Sequence, residues 1–342
     1  MVHKNSGQFE FADTWLGHNH HLNQRLDKMD KLVDWQPFEA MLNRVYSSPT
    51  GRPSHPVLLM FKALLLQAWY NLSDYALEEA LDDRLSFRRF VALSVAERAP
   101  DHSAFSRFRD QLIQHGIHEP LFNELNRQLE KRGLIIKKGT LVDATVIEAA
   151  PKKPRKNEDG TAGKSTVDPE ANWTKKGGEY LFGYKAHVGI DQDSELIRRI
   201  EMTPAHVHDG EMFGKVVSGD ELWAFADKAY DSAKNHKILN EKTVENGIMI
   251  KGTRKRKLSA VEKRCNRVLS KLRCPVERVF GTLKRSYRYS RARYLGLRKN
   301  SLQLTADEHS LQPQANGKAM CLSNEYREKS PLTGKKPAIF GH

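Results

Sequence analysis

The segment Arg273-Cys-Pro-Val-Glu277-Arg-Val-Phe-Gly-Thr-Leu-Lys284 sets a carboxylate four residues after one cation and seven before another. On a helix these steps approximate one and two turns, so the three charges share a face. Between Lys251 and Lys299 stand 18 Lys or Arg residues and only two acids, Glu262 and Glu277. A solitary carboxylate in such surroundings can hold a divalent cation beside a polyanion, provided that other carboxylates join it. Two aspartates qualify. Asp143 interrupts the apolar, β-branched run Thr140-Leu-Val-Asp-Ala-Thr-Val-Ile-Glu148, and Asp227 follows Leu222-Trp-Ala-Phe-Ala226. Alternation along a strand puts Leu141, Asp143 and Thr145 on one face, and open sheets present chemistry at the ends of their strands. Asp143, Asp227 and Glu277, converging from distant segments, would suit a pair of Mg²⁺ ions roughly 4 Å apart. One would activate water or a DNA hydroxyl, and the other would stabilise the leaving oxygen of a phosphodiester.

The elements that must position these acids fall into two groups. Residues 1–30 read as a polar arm whose His18, His20 and His21 lack the carboxylate or thiol framework of a metal site. From 31 to 135 the period is helical, which implies an all-α domain of about five helices. Val57 to Trp69 carries a core stripe, Ser73 can cap Asp74 to Asp83, and Leu85 to Leu93 follows. Asp101 can cap Ser103 to His115, with Gly116 as its stop, and Pro120 to Lys131 ends at Gly133. A helix-turn-helix role fits the fourth of these segments, where Arg107 and Arg109 could face a DNA groove while Phe105, Phe108 and Leu112 face the core.

At Gly139 the period becomes that of strands, opening a second domain over 136–304. Within it, the Pro-, Lys- and Gly-rich stretch 150–178 reads as a mobile basic loop. Tyr180 to Ile190 and Glu195 to Thr203 read as a hairpin closed by Asp191-Gln-Asp-Ser. His206-Val-His208-Asp209 opens a helix to about Val217, with Asp209 as its cap. A helix from Asp231 to Asn246, a strand Gly247 to Lys251 and a basic helix from Ser259 to about Tyr287 complete the order, Pro275 kinking that last helix or starting its second half.

Composition bounds the partners. A formal net charge of +14, with 56 Lys and Arg, points to nucleic acid. Cys265, Cys274 and Cys321 have neither an even count nor a metal spacing, which suits reduced cytoplasmic thiols without disulfide or structural zinc. The most apolar run, Val57 to Trp69, is too short to span a membrane.

The chain resembles the DDE transposases of bacterial insertion sequences, in the IS-five-like group with a short spacing between the second Asp and the Glu. The resemblance covers about residues 10 to 304. It is carried by Ser73-Asp-Tyr-Ala-Leu-Glu-Glu-Ala-Leu-Asp-Asp-Arg-Leu-Ser-Phe-Arg-Arg-Phe90, Val142-Asp-Ala-Thr145, Gly183-Tyr-Lys-Ala-His187, Ala226-Asp-Lys-Ala-Tyr230 and the Arg273, Glu277, Lys284 spacing. It implies a ribonuclease-H-like catalytic domain, a mixed sheet flanked by helices, with Asp143, Asp227 and Glu277 as ligands of Mg²⁺, for which Mn²⁺ can substitute. It also implies Arg273 and Lys284 as DNA contacts, and Arg278 and Lys185, inside the matching motifs, join them as candidates. Double-stranded DNA, as terminal inverted repeats and as target, would be bound by a homo-oligomer.

Two departures stand out. Ser270 occupies the position where the family often has Tyr, and from Thr305 to His342 a polar tail without period, expected to be disordered, replaces the usual apolar helix. A remnant that binds DNA without cutting it, and a ribonuclease-H-like nuclease that ignores the repeats, are the alternative readings.

Overall fold

The computed structural model describes residues 24–45, 54–155, 163–253 and 256–306. Among the described residues the first half holds seven helices: α1 Gln24–Leu32, α2 Gln36–Leu42, α3 Val57–Trp69, α4 Asp74–Asp83, α5 Leu85–Val91, α6 His102–Gln114 and α7 His118–Lys131. All of α3 except Leu58 is buried, and the other helices pack around it. Its Lys62 reaches Asp30 at 2.6 Å and lies over the Trp35 ring, so even this cation serves the core. The caps follow the sequence. Ser73 Oγ accepts from the Ala76 amide, Asp101 accepts from the Ala104 amide, and Gly116 and Gly133, at φ of +62° and +68°, end α6 and α7.

Helix α1 corrects the reading of 1–30 as a polar arm. Leu26 and Met29 are buried, while Asp27 and Asp30 face Arg89 and Lys62, so charges that look solvated in sequence are paired. Residues 1–23, including the three histidines, lie outside the described residues. Arg109 is also corrected. Its guanidinium is buried against Asp74, with one bond of 2.8 Å, and it also donates to Gln67 and lies over the Tyr294 ring. It belongs to the core and faces no groove. Arg107, two residues away, stays on the outer side with Phe105, Phe108 and Leu112 beneath it.

The second half is built on a six-stranded sheet of β1 Gly139–Glu148, β2 Asn172–Lys176, β3 Glu179–Asp191, β4 Ile197–Pro204, β5 Trp223–Ala226 and β6 Glu245–Ile248. Strand β3 runs antiparallel between β1 and β4, whereas β1, β5 and β6 are mutually parallel. Three antiparallel strands followed by two parallel ones make the ribonuclease-H-like arrangement. The β3–β4 turn is fixed by Asp191, whose carboxylate accepts from Ser194 and from the Lys137 amide. At Gly189 a Cβ would lie 2.2 Å from the Val216 carbonyl, so glycine lets the helix below approach β3.

Several boundaries differ from the sequence reading. Part of the 150–178 loop is strand β2, joined to β3 by Gly177 and Gly178 at positive φ, and only 156–162 of it lies outside the described residues. The segment after His208 is a 3₁₀ turn, Asp209–Met212, followed by α8 Phe213–Val216, and His208 rather than Asp209 caps it. Asp209 is unavailable because it pairs with Lys185. Helix α9 covers only Ala233–Glu241. Thr243, at φ +55°, then turns the chain into β6, which starts before Gly247.

The long basic helix is two: α10 Ala260–Leu272, opened by a Ser259–Glu262 capping box, and α11 Cys274–Arg285. They meet at Arg273. Pro275 lies in the first turn of α11, where its missing donor costs nothing. Residues 297–306 form a last helix, α12. The tail expected to begin at 305 therefore begins as helix, and 307–342 lie outside the described residues. No helix among the described residues is long and apolar enough to cross a membrane.

Asp74→Ala strands the buried Arg109 guanidinium and is expected to cost about 3 kcal/mol of stability. Urea denaturation checks it, with Arg107→Ala, on the exposed side of the same helix, expected to change stability by less than about 0.5 kcal/mol.

Candidate active site

Strands β1 and β5 pair only through Gly139–Leu141 and Trp223–Phe225. Asp143 and Asp227 both stand beyond this paired stretch, Asp143 two residues further along β1 and Asp227 immediately after β5. Alternation fixes the face. Leu141 packs in one cluster with Val276 and Val279 of α11, so Asp143, two residues on, turns toward the same helix. Asp227 caps the short 3₁₀ turn Lys228–Tyr230, its Oδ1 accepting from the Ala229 amide at 2.7 Å. Among the described residues nothing donates to its Oδ2.

Asp143 is more constrained. Its Oδ1 accepts from the Ala144 amide at 2.8 Å and its Oδ2 from Arg273 Nη2 at 3.1 Å. Burial pushes its carboxyl up to about 6, against the pull of Arg273 and the Ala144 amide, and the negative charge of Asp227 raises it further. The two aspartates therefore sense each other. Arg273 is itself half-buried, touches Met249 Sδ and has a buried Nε with no partner among the described residues.

Lysines line this end of the sheet. Lys284, half-buried on α11, is held below the usual lysine range by burial first and then by the positive charge of Lys176, while Glu148 pulls the other way. Lys176, at the end of β2, also acts on Asp143. Sequence reasoning missed Lys176 by assigning its segment to a loop. The signal was present, since Asn172 to Lys176, then Gly-Gly, then Glu179-Tyr-Leu-Phe is the pattern of a two-residue hairpin.

The remaining candidates lie elsewhere. Glu277 is exposed in the first turn of α11, one turn beyond Arg273. Among the described residues no three acidic, imidazole or thiol side chains form a group able to hold a metal, so Glu277 does not complete such a cluster with the aspartates. Arg278 is exposed but turned to Glu195 at the β3–β4 turn. Lys185 is largely buried, ion-paired with Asp209 at 2.9 Å and donating to the Val207 carbonyl, so the DNA contact expected of it is not offered at the surface. Arg107 and Arg109 belong to the helical half. The donors at Asp143 and Asp227 are carboxylate oxygens, the kind hard divalent cations prefer, and in that respect the residues fit Mg²⁺.

A sheet of this order, with one aspartate on its first strand and a second directly after β5, defines a ribonuclease-H-like domain. Residues 136–306, half of the chain, match a family model described as "Transposase DDE domain", and residues 14–111 match one described as "Transposase domain (DUF772)". The chain belongs to the DDE transposase family. A cryo-EM structure of a piggyBac transposase synaptic complex with hairpin DNA is 11% identical over 90% of this chain and 82% of that one, with a TM-score of 0.39.

Burial of the Asp143 carboxyl makes stability depend on pH. Below an unfolded value near 3.8 the protonated group is tolerated in both states, so its contribution to stability is fully present, and it is lost as pH rises through about 6. Asp143→Asn escapes that loss. The variant is expected to gain on the wild type between about pH 4 and pH 7 in urea midpoints, and a difference that stays flat across this window would contradict the burial of the carboxylate.

Proposed function

We propose that the protein cuts DNA at the terminal inverted repeats of its element and joins the freed 3′-hydroxyl ends to target DNA. Asp143 and Asp227 would hold Mg²⁺, or Mn²⁺ in its place, and Glu277, which does not group with them in the structure, would join as third ligand when the cation is bound. The observation that carries this reading is the convergence on Asp143. Asp227 acts on it electrostatically from the end of β5, and Arg273 bonds to it from the start of α11, which brings Glu277 to within a helical turn of that bond. The bound ions would activate the attacking hydroxyl and stabilise the leaving oxygen.

The chain's own residues account for the rest. Asp143 must be ionised to serve as a ligand, and burial leaves it only half ionised at about pH 6. Lys284 and Lys176 offer two neighbouring cations at the rim, suited to phosphates flanking the cut, and Arg273 can exchange Asp143 for a phosphate oxygen. The helical half, over 31–135, would grip DNA through its outer surface, where Arg107 is 71% exposed. The short spacing from Asp227 to Glu277 supports placement in the IS-five-like group, and recognition of two element ends calls for a homo-oligomer.

Labelled DNA spanning the flanks of the protein's own gene, incubated with Mg²⁺ or Mn²⁺ and with EDTA as control, tests this. Metal-dependent nicks at the repeat boundaries are expected. They should fall by more than about 100-fold in Asp143→Asn, Asp227→Asn and Glu277→Gln, while DNA binding persists. Strand transfer retained by Glu277→Gln would overturn the assignment. Binding without cutting would identify a remnant, and cutting of any DNA a nuclease.

A further inference from the structure

The large apolar side chains of the described helices are covered with four exceptions, Tyr75, Leu85, Val261 and Val268, which are exposed. These four fall on two faces. On α4, Tyr75 (67% exposed) heads a stripe with Glu79, Asp82 and Asp83, which follow it by one and two helical turns, and Leu85 comes next at the start of α5. On α10, Val261 (71% exposed) and Val268 alternate with Arg264 and Lys271 along one face, with Lys263 and Arg267 beside them. The two faces carry opposite charge. Among the described residues Glu79 and Asp83 meet no cation, and Asp82 approaches Arg88 only at 3.4 Å. On α10 the one acid, Glu262, is taken by Arg256, so the four cations of that helix have no acid opposite them among the described residues.

We infer that α4 of one chain docks on α10 of a second copy, Tyr75 and Leu85 covering Val261 and Val268 while the acids of α4 meet the cations of α10. The inference rests on the homo-oligomer that two element ends call for, and it gives that assembly an interface. An acid-lined face repels DNA, so α4 needs a basic partner of another kind. Phosphate, in turn, gives the valines of α10 nothing apolar to bury against. Each face supplies what the other lacks. Tyr75 is also set in advance, since its ring stacks on that of His102 at 4.0 Å and Glu78 bonds both the ring and the amide of His102. Little side-chain freedom is then lost on docking. A two-fold dimer would make the contact twice, α4 to α10 and α10 to α4.

Sedimentation of the full chain in low salt and without DNA tests this. The wild type is expected to be dimeric at about 50 μM. One variant reverses α4 (Glu79→Lys, Asp82→Lys and Asp83→Lys together) and another reverses α10 (Arg264→Glu, Arg267→Glu and Lys271→Glu together). Each alone is expected to self-associate more weakly by over about 10-fold. An equimolar mixture of the two should regain wild-type affinity, because both contacts of the mixed dimer again join opposite charges. A mixture that stays monomeric, or reversed variants that remain dimeric, would overturn the inference. So would an α10 reversal that weakens only DNA binding, which would mark that helix as a DNA contact. If a variant fails to fold, carbodiimide coupling of the wild type decides: Glu79, Asp82 or Asp83 of an isotope-labelled chain should join Lys263 or Lys271 of an unlabelled one, and a dimer lacking that link refutes the interface. A wild type that is monomeric without DNA refutes it as well, and a chain that also stays single on its element ends refutes the homo-oligomer itself.

Discussion

The bond between Asp143 and Arg273 joins the middle of the first strand to the point where two helices meet. A carboxylate in the interior of a sheet is unfavourable unless something opposes its charge, and here the counter-charge comes from the residue that ends α10 and precedes α11. Pro275 makes that junction stable, because a proline in the middle of one continuous helix would break its ladder, whereas in a first turn it displaces no bond. The consequence reaches along α11. Once Arg273 is tied to Asp143, Val276 and Val279 lie over Leu141, and Leu283 reaches the cluster that holds Ile147. Burial of one acid thereby sets the register of a helix against a sheet.

The helical half is built into the same framework. Arg293 donates to the Leu72 carbonyl and to Asn71, and Lys299 pairs with Asp110 at 2.9 Å. On the other side Asn126 donates to the Arg198 carbonyl of β4, and Phe122 enters the cluster under α11. Buried charges are treated alike throughout. Arg109 with Asp74, Lys62 with Asp30 and Lys185 with Asp209 are all cations withdrawn from the surface and matched locally. Elsewhere, on α10, on α11 and at Lys176, cations stay at the surface.

Much of this was legible in the sequence where a local rule decides the outcome. The stripe of α3, the caps at Ser73 and Asp101, the stops at Gly116 and Gly133, the strand around Asp143 and the hairpin at Asp191 all depend on residues within a turn of one another. Asp143 and Asp227 could be singled out because an acid within or directly after an apolar strand needs a reason. The misreadings share a different cause. Arg109, Lys185 and Asp209 look like surface groups until partners at sequence distances of 35 and 24 residues are known, and no periodicity reveals those. Strand β2 is short and half-exposed, so charge outweighed its pattern. His208 caps the turn, one residue earlier than expected, while Asp209 faces Lys185.

Helix α12 has an implication for how the chain comes into being. Leu302 is buried in the core formed by α1 to α7, whereas Leu304 is buried with Ile147 and Leu283 beneath the sheet. Both cores therefore lack a piece until residues 302 and 304 have been synthesised, although apart from Leu196 and Leu302 the buried residues of the first core are all in place some 170 residues earlier, at Ile135. Vectorial synthesis cannot finish the amino-terminal half ahead of the other. The newborn chain must hold its helical half as an incomplete assembly, with an apolar opening where Leu302 will sit, until the last helix closes both cores in one step.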